Sequence, residues 1–285
     1  MKPVFERIFA GIQYILPQHF LSRIVYALMR IEVKWVKNLL IALISRMAGI
    51  NYSEALSSDP ADYRSFNAWF TRELKPGVRT FDTDPMAFLS PCDGRISETG
   101  PLLENRILQA KGRDYSLQDL LANDEVCPQL INGYFSTIYL SPKDYHRIHM
   151  PISGELQRMI HVPGRLFSVA PYTARQVPNL FARNERVIAI FDTDSGPMIM
   201  VLVGAMLVSS TETVWAGEVT PNKNKSVSVI DYSGKGIRLN KGDEMGRFNM
   251  GSTVVLLMPP NTVEGREDLG AGSAVQVGQK LAVIQ

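Results

Sequence analysis

From Tyr134 onward the chain is divided into short runs of β-branched and aromatic residues, each closed off by Gly, Pro, Asn or Asp. The runs are Tyr134–Leu140, Arg186–Phe191, Met198–Val208, Ser226–Asp231, Thr253–Met258 and Lys280–Ile284. That length and composition suit strands, and the punctuation suits turns. One segment reads as a helix, Ser116–Ala122, with Ser116 as its cap and Asp119 three residues on. Many spaced strands with few helices predict an α+β chain that is mainly β, its body a β-sandwich or closed sheet. With 285 residues, 45% of them hydrophobic, the chain can fill one large domain with an appendage.

A short repeat refines this. Pro91-Cys-Asp-Gly-Arg-Ile96 and Pro151-Ile-Ser-Gly-Glu-Leu156 share P-x-x-G followed, after one residue, by an aliphatic. Lys241-Gly242-Asp243 and Val277-Gly278-Gln279 each precede a strand-like run. Such turns resemble those of lipoyl- and biotinyl-type hybrid sandwiches. No lysine stands at a clear hairpin tip, so a carrier domain is a poor second reading.

Residues 1–60 differ in kind. Up to residue 50 they carry Lys2, Arg7, Arg23, Arg30, Lys34, Lys37 and Arg46 against Glu6 and Glu32, seven minus two or +5. The whole chain is +2, so the remainder is −3. Pro17 and Arg23 interrupt the apolar stretch, which therefore falls short of the roughly 20 residues a spanning helix needs. No small-residue cleavage site follows, which argues against a signal peptide. On one helix over residues 22–46, Arg23, Arg30, Lys34 and Lys37 form a stripe opposite Ile24, Leu28, Trp35, Leu39 and Leu43, with Glu32 out of place on the apolar side. That pattern predicts a helical region lying in the headgroup layer of an anionic membrane, or a hairpin packed on the body or on a second subunit. Residues 61–285 would then be the β-rich catalytic domain. No basic run is interleaved with aromatics, which excludes a strong nucleic-acid binder. Cys92 and Cys127 make no paired motif, and a reducing compartment follows most simply.

Four histidines limit the choice of base. His19 sits in the apolar N-terminal region and His161 alone in a strand-like run, whereas His146 and His149 stand together in Tyr145-His-Arg-Ile-His-Met-Pro151. Zinc needs three or four ligands, and nothing nearby completes that pair, so no metal is expected. Gly251-Ser252 reads either as a turn into a buried strand or as a reactive pair. A serine Oγ can attack the carbonyl before it when the backbone is held in a strained turn, and glycine there leaves the approach open. The amide becomes an ester, elimination leaves dehydroalanine, and hydrolysis leaves a pyruvoyl end. Such a serine needs an oriented base.

Met250-Gly-Ser-Thr253 resembles the LGST self-cleavage motif of the bacterial phosphatidylserine decarboxylase family. Ser90-Pro-Cys-Asp-Gly-Arg-Ile96 resembles its SPxDGxI segment, and Tyr145–Pro151 its YHRxHxP segment. Asn184-Glu-Arg-Val187, Val203-Gly-Ala205 and Phe66–Pro76 also resemble family signatures, in the family's order. Met250 stands for the more familiar Leu, and Cys92 for a small residue beside the aspartate. The resemblance implies that Asp93 orients His149, that His149 takes the proton of Ser252, and that Ser252 attacks Gly251. The chain would split into a beta chain, 1–251, and an alpha chain, 252–285. The pyruvoyl group on the former Ser252 would form a Schiff base with phosphatidylserine, and His146 would protonate the carbon that loses CO2, giving phosphatidylethanolamine. A homodimer of processed units, peripheral on the cytoplasmic face of the cell membrane, is implied as well. Arg165 is the candidate for binding the substrate phosphate. Three rivals stay open: a membrane-bound hydrolase with an Asp93–His149–Ser252 triad, a pyruvoyl decarboxylase of a soluble amino acid, and a non-catalytic lipoyl-like module.

Overall fold

The structure is a computed structural model that describes residues 2–207, 210–221 and 225–285. Tyr134–Leu140 and Lys280–Ile284 are strands over the expected residues. Their neighbours run Arg186–Thr193, Gly196–Val203, Ser228–Asp231 and Ser252–Met258. Val208, at the end of one expected run, lies outside the described residues. The chain is α+β and mainly β.

Ser252–Met258 lies inside the large sheet, antiparallel to Tyr134–Leu140 on one side and Gly196–Val203 on the other. All its side chains are buried, because both faces of the sheet are covered. Val255 and Leu257 join a cluster with Leu117, Leu120 and Phe181. Val254, Leu256 and Met258 join another with Met245 and Phe248. Those last two belong to Glu244–Phe248, a strand of a second sheet with Arg147–His149, Thr211–Thr213 and Gly217–Thr220. Burial on both faces explains why this strand reads as a continuous apolar run rather than an alternating one.

The short repeat corresponds to reciprocal bonding. His149 N–H donates to Pro91 O at 2.8 Å, and Leu89 N–H donates to Pro151 O at 3.2 Å. Likewise Gly242 N–H donates to Met150 O at 2.9 Å, and Gly278 N–H donates to Ser90 O at 3.0 Å. Gly242 and Gly278 both have positive φ, +87° and +84°, and a Cβ on either would press on Phe81. Both turns therefore need glycine, and one phenylalanine ties them together.

The N-terminal region forms three helices, α1 Lys2–Ile15, α2 Gln18–Met29 and α3 Lys34–Ala48. The single helix expected over 22–46 is thus two, broken at Arg30–Val33, where Val33 is extended. The break also leaves Glu32, the residue out of pattern, outside both helices. Gly49, at φ +69°, closes α3. No helix among the described residues is long and apolar enough to cross a membrane.

The helices lie with their polar sides on the body. Gln13 accepts from Ser168 N–H at 2.8 Å, and Gln18 from Leu166 N–H at 2.8 Å. Lys37, one of the four residues of the expected basic stripe, is 3% exposed and donates to Pro60 O. Trp35, by contrast, is 72% exposed, and Ile24, Leu28, Leu39 and Leu43 are exposed with it. Beneath α3 a small core of Met29, Ile41, Phe66, Trp69 and Phe70 joins the helices to α4, Phe66–Phe70.

Candidate active site

The register of the large sheet brings the motif residues to one end. Ser252 pairs with Leu140, and Tyr139 pairs with Arg95, two residues after Asp93. After Leu140 the chain makes a closed turn. Ser141 donates through N–H and Oγ to Asp144 Oδ2, each at 2.7 Å, and Asp144 N–H returns to Ser141 O at 2.9 Å. This turn sends His146 back toward the start of the Ser252 strand.

His146 is fully buried, with Phe70 against its ring at 4.3 Å between centroids. Its Nδ1 lies 2.8 Å from Asp144 O. A carbonyl only accepts, so Nδ1 carries the proton and Nε2 presents a lone pair. Among the described residues that Nε2 has no hydrogen-bond partner, and neither has the buried Ser252 Oγ. A Cβ built on Gly251 would lie 3.9 Å from His146 Nε2. Burial, with a smaller contribution from the Arg72 cation, pushes His146 down to about 3, so it is neutral at rest.

The residue before Gly251 is strained. Met250 has φ +153°, a region that a side-chain-bearing residue rarely occupies. Its side chain packs against the Met29–Phe70 core under the helices. A pocket of about 230 Å³ opens beside Met250 and Gly251, lined among others by Tyr139, Pro142, Ser168, Tyr172 and Leu207. Tyr172 meets Phe9 of α1 edge-on at 5.4 Å, and Leu207 N–H donates to Ser22 Oγ of α2 at 3.3 Å. The pocket therefore lies between the sheet end and the undersides of the N-terminal helices.

Asp93 is engaged otherwise than expected. Arg79 Nε donates to both its oxygens, at 3.0 and 3.1 Å, and Val277 N–H donates to Oδ1 at 2.9 Å. Arg79 also reaches Glu54 at 2.9 Å. His149 donates from Nδ1 to Gly242 O at 2.8 Å, and its Nε2 stands 3.4 Å from Tyr145 OH. Among the described residues no hydrogen bond joins Asp93 to His149, or either histidine to Ser252. Burial lowers His149, but its bond to the Gly242 carbonyl, Glu244 and Asp93 all oppose the shift.

The remaining candidates fall elsewhere. His19 faces Gly164 O at 2.9 Å on the surface, and His161 is buried against Glu185 at 2.8 Å. Arg165 is exposed and donates to Tyr14 O at 2.8 Å, at the last turn of α1. It does not line the Gly251 pocket, because its guanidinium is turned onto a free helix carbonyl. Cys92 is buried, and desolvation, then the nearby Asp93 and Asp144, pushes its thiol well up. It is a protonated core residue, not a nucleophile. Sequence reasoning missed Arg79, whose partners Glu54 and Asp93 leave no local pattern, and it placed Phe70 in a signature without its contact to His146.

The phosphatidylserine decarboxylase family model matches residues 66–283, and a second model, described as PSD, matches residues 8–47. The chain belongs to the phosphatidylserine decarboxylase family. It is 51% identical over 276 residues to the phosphatidylserine decarboxylase proenzyme of Methylococcus capsulatus, covering 96% of each chain. It is 52% identical over 280 residues to the proenzyme of Pseudomonas putida, covering 97% of this chain and 98% of that protein. The corresponding protein of Xanthomonas campestris is 50% identical over 272 residues, covering 95% and 96%. The second match falls on α1–α3, so in this decarboxylase family the helices with outward apolar faces are part of the shared sequence and not an addition to it.

Proposed function

We propose that the chain is a proenzyme that cuts itself between Gly251 and Ser252 and then decarboxylates phosphatidylserine to phosphatidylethanolamine and CO2. One observation carries this reading: a buried, unpartnered Ser252 Oγ directly after a strained turn, with the free nitrogen of a neutral His146 beside Gly251. A hydrolase needs its serine open to an incoming substrate, and Ser252 is 0% exposed. The carbonyl of its own preceding residue is what such a serine can attack.

Ser252 Oγ bonds to the Gly251 carbonyl carbon and the amide nitrogen leaves, giving an ester. Loss of the Ser252 α-proton expels Gly251 as a carboxylate, and water converts the remaining end to a pyruvoyl group with release of ammonia. Basicity separates the two histidines. His146, lowered to about 3 by its burial, with the Arg72 cation adding to the shift, is the weaker base in the proenzyme, before a substrate carboxylate faces it. His149 is supported by Glu244 and Asp93 and is the better base. Asp93, gripped by Arg79, acts on it as a fixed negative charge.

The orphaned Ser252 and His146 atoms fit a reactive group at position 252. The pyruvoyl group, once present, supplies an electron sink for the carbon that loses CO2. Phosphatidylserine arrives as an ammonium and must shed a proton before its amine can react. His146 Nε2, neutral at rest, takes that proton, steadied by the substrate carboxylate, and returns it to carbon after CO2 departs. The apolar pocket beside Gly251 leads the headgroup toward the helices, whose outward Ile24, Trp35 and Leu39 enter the bilayer surface. Binding rests on apolar insertion more than on the basic stripe, since Lys37 faces inward. The enzyme would thus be peripheral on the cytoplasmic face, with a dimer of processed units as the expected assembly. The reciprocal bonds around Pro91 and Pro151 favour a lipoyl-like hybrid sandwich for the body.

Intact mass spectrometry of the protein beside Ser252→Ala tests the reading. Two fragments divided at Gly251–Ser252, the smaller with a borohydride-reducible end, are expected; a folded wild-type chain that stays whole sinks it. His149→Gln should remain uncut and His146→Gln should be cut but inactive. The opposite pattern exchanges their roles.

A further inference from the structure

Asn249 stands two residues before Gly251 and is 1% exposed. Its backbone N–H donates to Ser210 O at 2.9 Å, and its side-chain Nδ2 donates to Ser210 Oγ. Its Oδ1 accepts from Asn67 Nδ2 of α4 at 3.1 Å. Ser210 Oγ accepts in turn from Arg30 Nη2 at 3.0 Å, just past the end of α2. Arg30 is itself braced, bonded to Glu218 at 2.7 Å and lying 3.6 Å over the Tyr26 ring. Tyr26, on α2, also donates to Glu218, at 2.9 Å. The next residue, Met250, reaches the same helices by packing into the core that contains Met29 and Ile41.

The helical unit thus holds both residues that precede Gly251. The unfavourable φ of Met250 persists only where its surroundings over-determine it. Here the surroundings are Asn249, fixed on Ser210 and Asn67, and the Met250 side chain, fixed under α2 and α3. A slack turn would let Gly251 relax away from the Ser252 hydroxyl.

The geometry points to Asn249, with Ser210 and Arg30 behind it, as positioning residues for self-cleavage, so that the docked N-terminal helices set the strain at the cut. This rests on the self-processing reading above. After the cut Gly251 is a chain end separate from residue 252, and Asn249, Ser210 and Arg30 do not line the pocket beside it, so the second reaction does not depend on their hold. A residue needed only for general stability would weaken both reactions.

The test follows processing in full-length Asn249→Ala, Arg30→Met and Arg30→Lys after cell-free synthesis, by gel and intact mass, and then turnover of phosphatidylserine vesicles per pyruvoyl group. Processing of Asn249→Ala and Arg30→Met is expected to slow about tenfold or more, equivalent to ~1.4 kcal/mol in barrier. Arg30→Lys should lie nearer wild type, and turnover per pyruvoyl group should stay within about twofold in all three, a barrier change of ~0.4 kcal/mol. Wild-type processing rates in both Asn249→Ala and Arg30→Met would overturn the inference, as would processing and turnover falling together. A wild-type chain that never cuts would overturn the self-processing reading as well, which separates the two failures.

Discussion

The strand Ser252–Met258 and the helices α2 and α3 are both rich in leucine and isoleucine or valine, yet they solve opposite problems. The strand buries every side chain between two layers. The helices hide Gln18, Ser22, Lys37 and Ser45 and turn Ile24, Trp35, Leu39 and Leu43 outward. In water such exposure forfeits roughly 25 cal/mol per Å² of apolar surface. The inverted helices cohere because their inward polar groups find partners on the body, as Ser22 does on Leu207 and Lys37 on Pro60. The lesson is that the direction of an amphipathic face is decided by what the other side must meet.

The contrast can be broken first in the strand. Val255→Asp would place a charge between two closed layers, at a cost of several kcal/mol. No soluble folded protein is expected, whereas Leu39→Asp should leave the thermal transition within about 2 °C of wild type, as for surface changes. Equal damage from the two would abolish the distinction. The next largest effect is on vesicle binding. Ile24→Ser, Leu39→Ser and Leu43→Ser combined should weaken co-sedimentation with phosphatidylserine-containing vesicles by about a hundredfold, as the loss of ~1 kcal/mol or more per inserted side chain implies. Unchanged binding would assign the outward face to another partner.

A finer comparison is Leu256→Ala against Leu39→Ala in chemical denaturation. The first should cost about 3 kcal/mol and the second under ~0.5 kcal/mol. Acid gives a graded test of the body. His146 is lowered by burial from 6.5 to about 3, so between those values the unfolded chain binds a proton that the native one refuses. Its contribution to stability is whole above pH 6.5 and is lost as pH falls, by up to ~1.4 kcal/mol per pH unit. In a Ser252→Ala background, His146→Gln should flatten the acid limb of stability against pH; an unchanged limb would contradict a neutral buried imidazole. The smallest effect is expected at Lys37→Met, where one bond to a carbonyl is exchanged for apolar packing and stability should move by less than about 1 kcal/mol.

Much of the β body could be read from the residues, because a strand's signal is local. Ser116 caps α5, Leu117–Leu120, by accepting from Asp119 N–H, as its spacing implied. The helical period was legible too, but periodicity is blind to which stripe meets the body, so it left open whether Lys37 faces inward. At the site, Asp93, His146, His149 and Ser252 stood out as motif residues. Arg79, which holds Asp93, and Ser210, which holds Asn249, did not. Their contacts are set by tertiary packing between segments with no shared period.

The position of Ser252 at the head of an interior strand has one more consequence. Cutting the chain there would not free the C-terminal piece, since Ser252–Met258 keeps ladders on both edges and Lys280–Ile284 stays paired with Ala87–Leu89. But the piece was threaded into the sheet while still tethered. Once the tether is cut, unfolding would turn a first-order search into an encounter between two molecules, one of them little more than four short strands. The mature protein would then be assembled once per lifetime, durable while folded and without a ready way back.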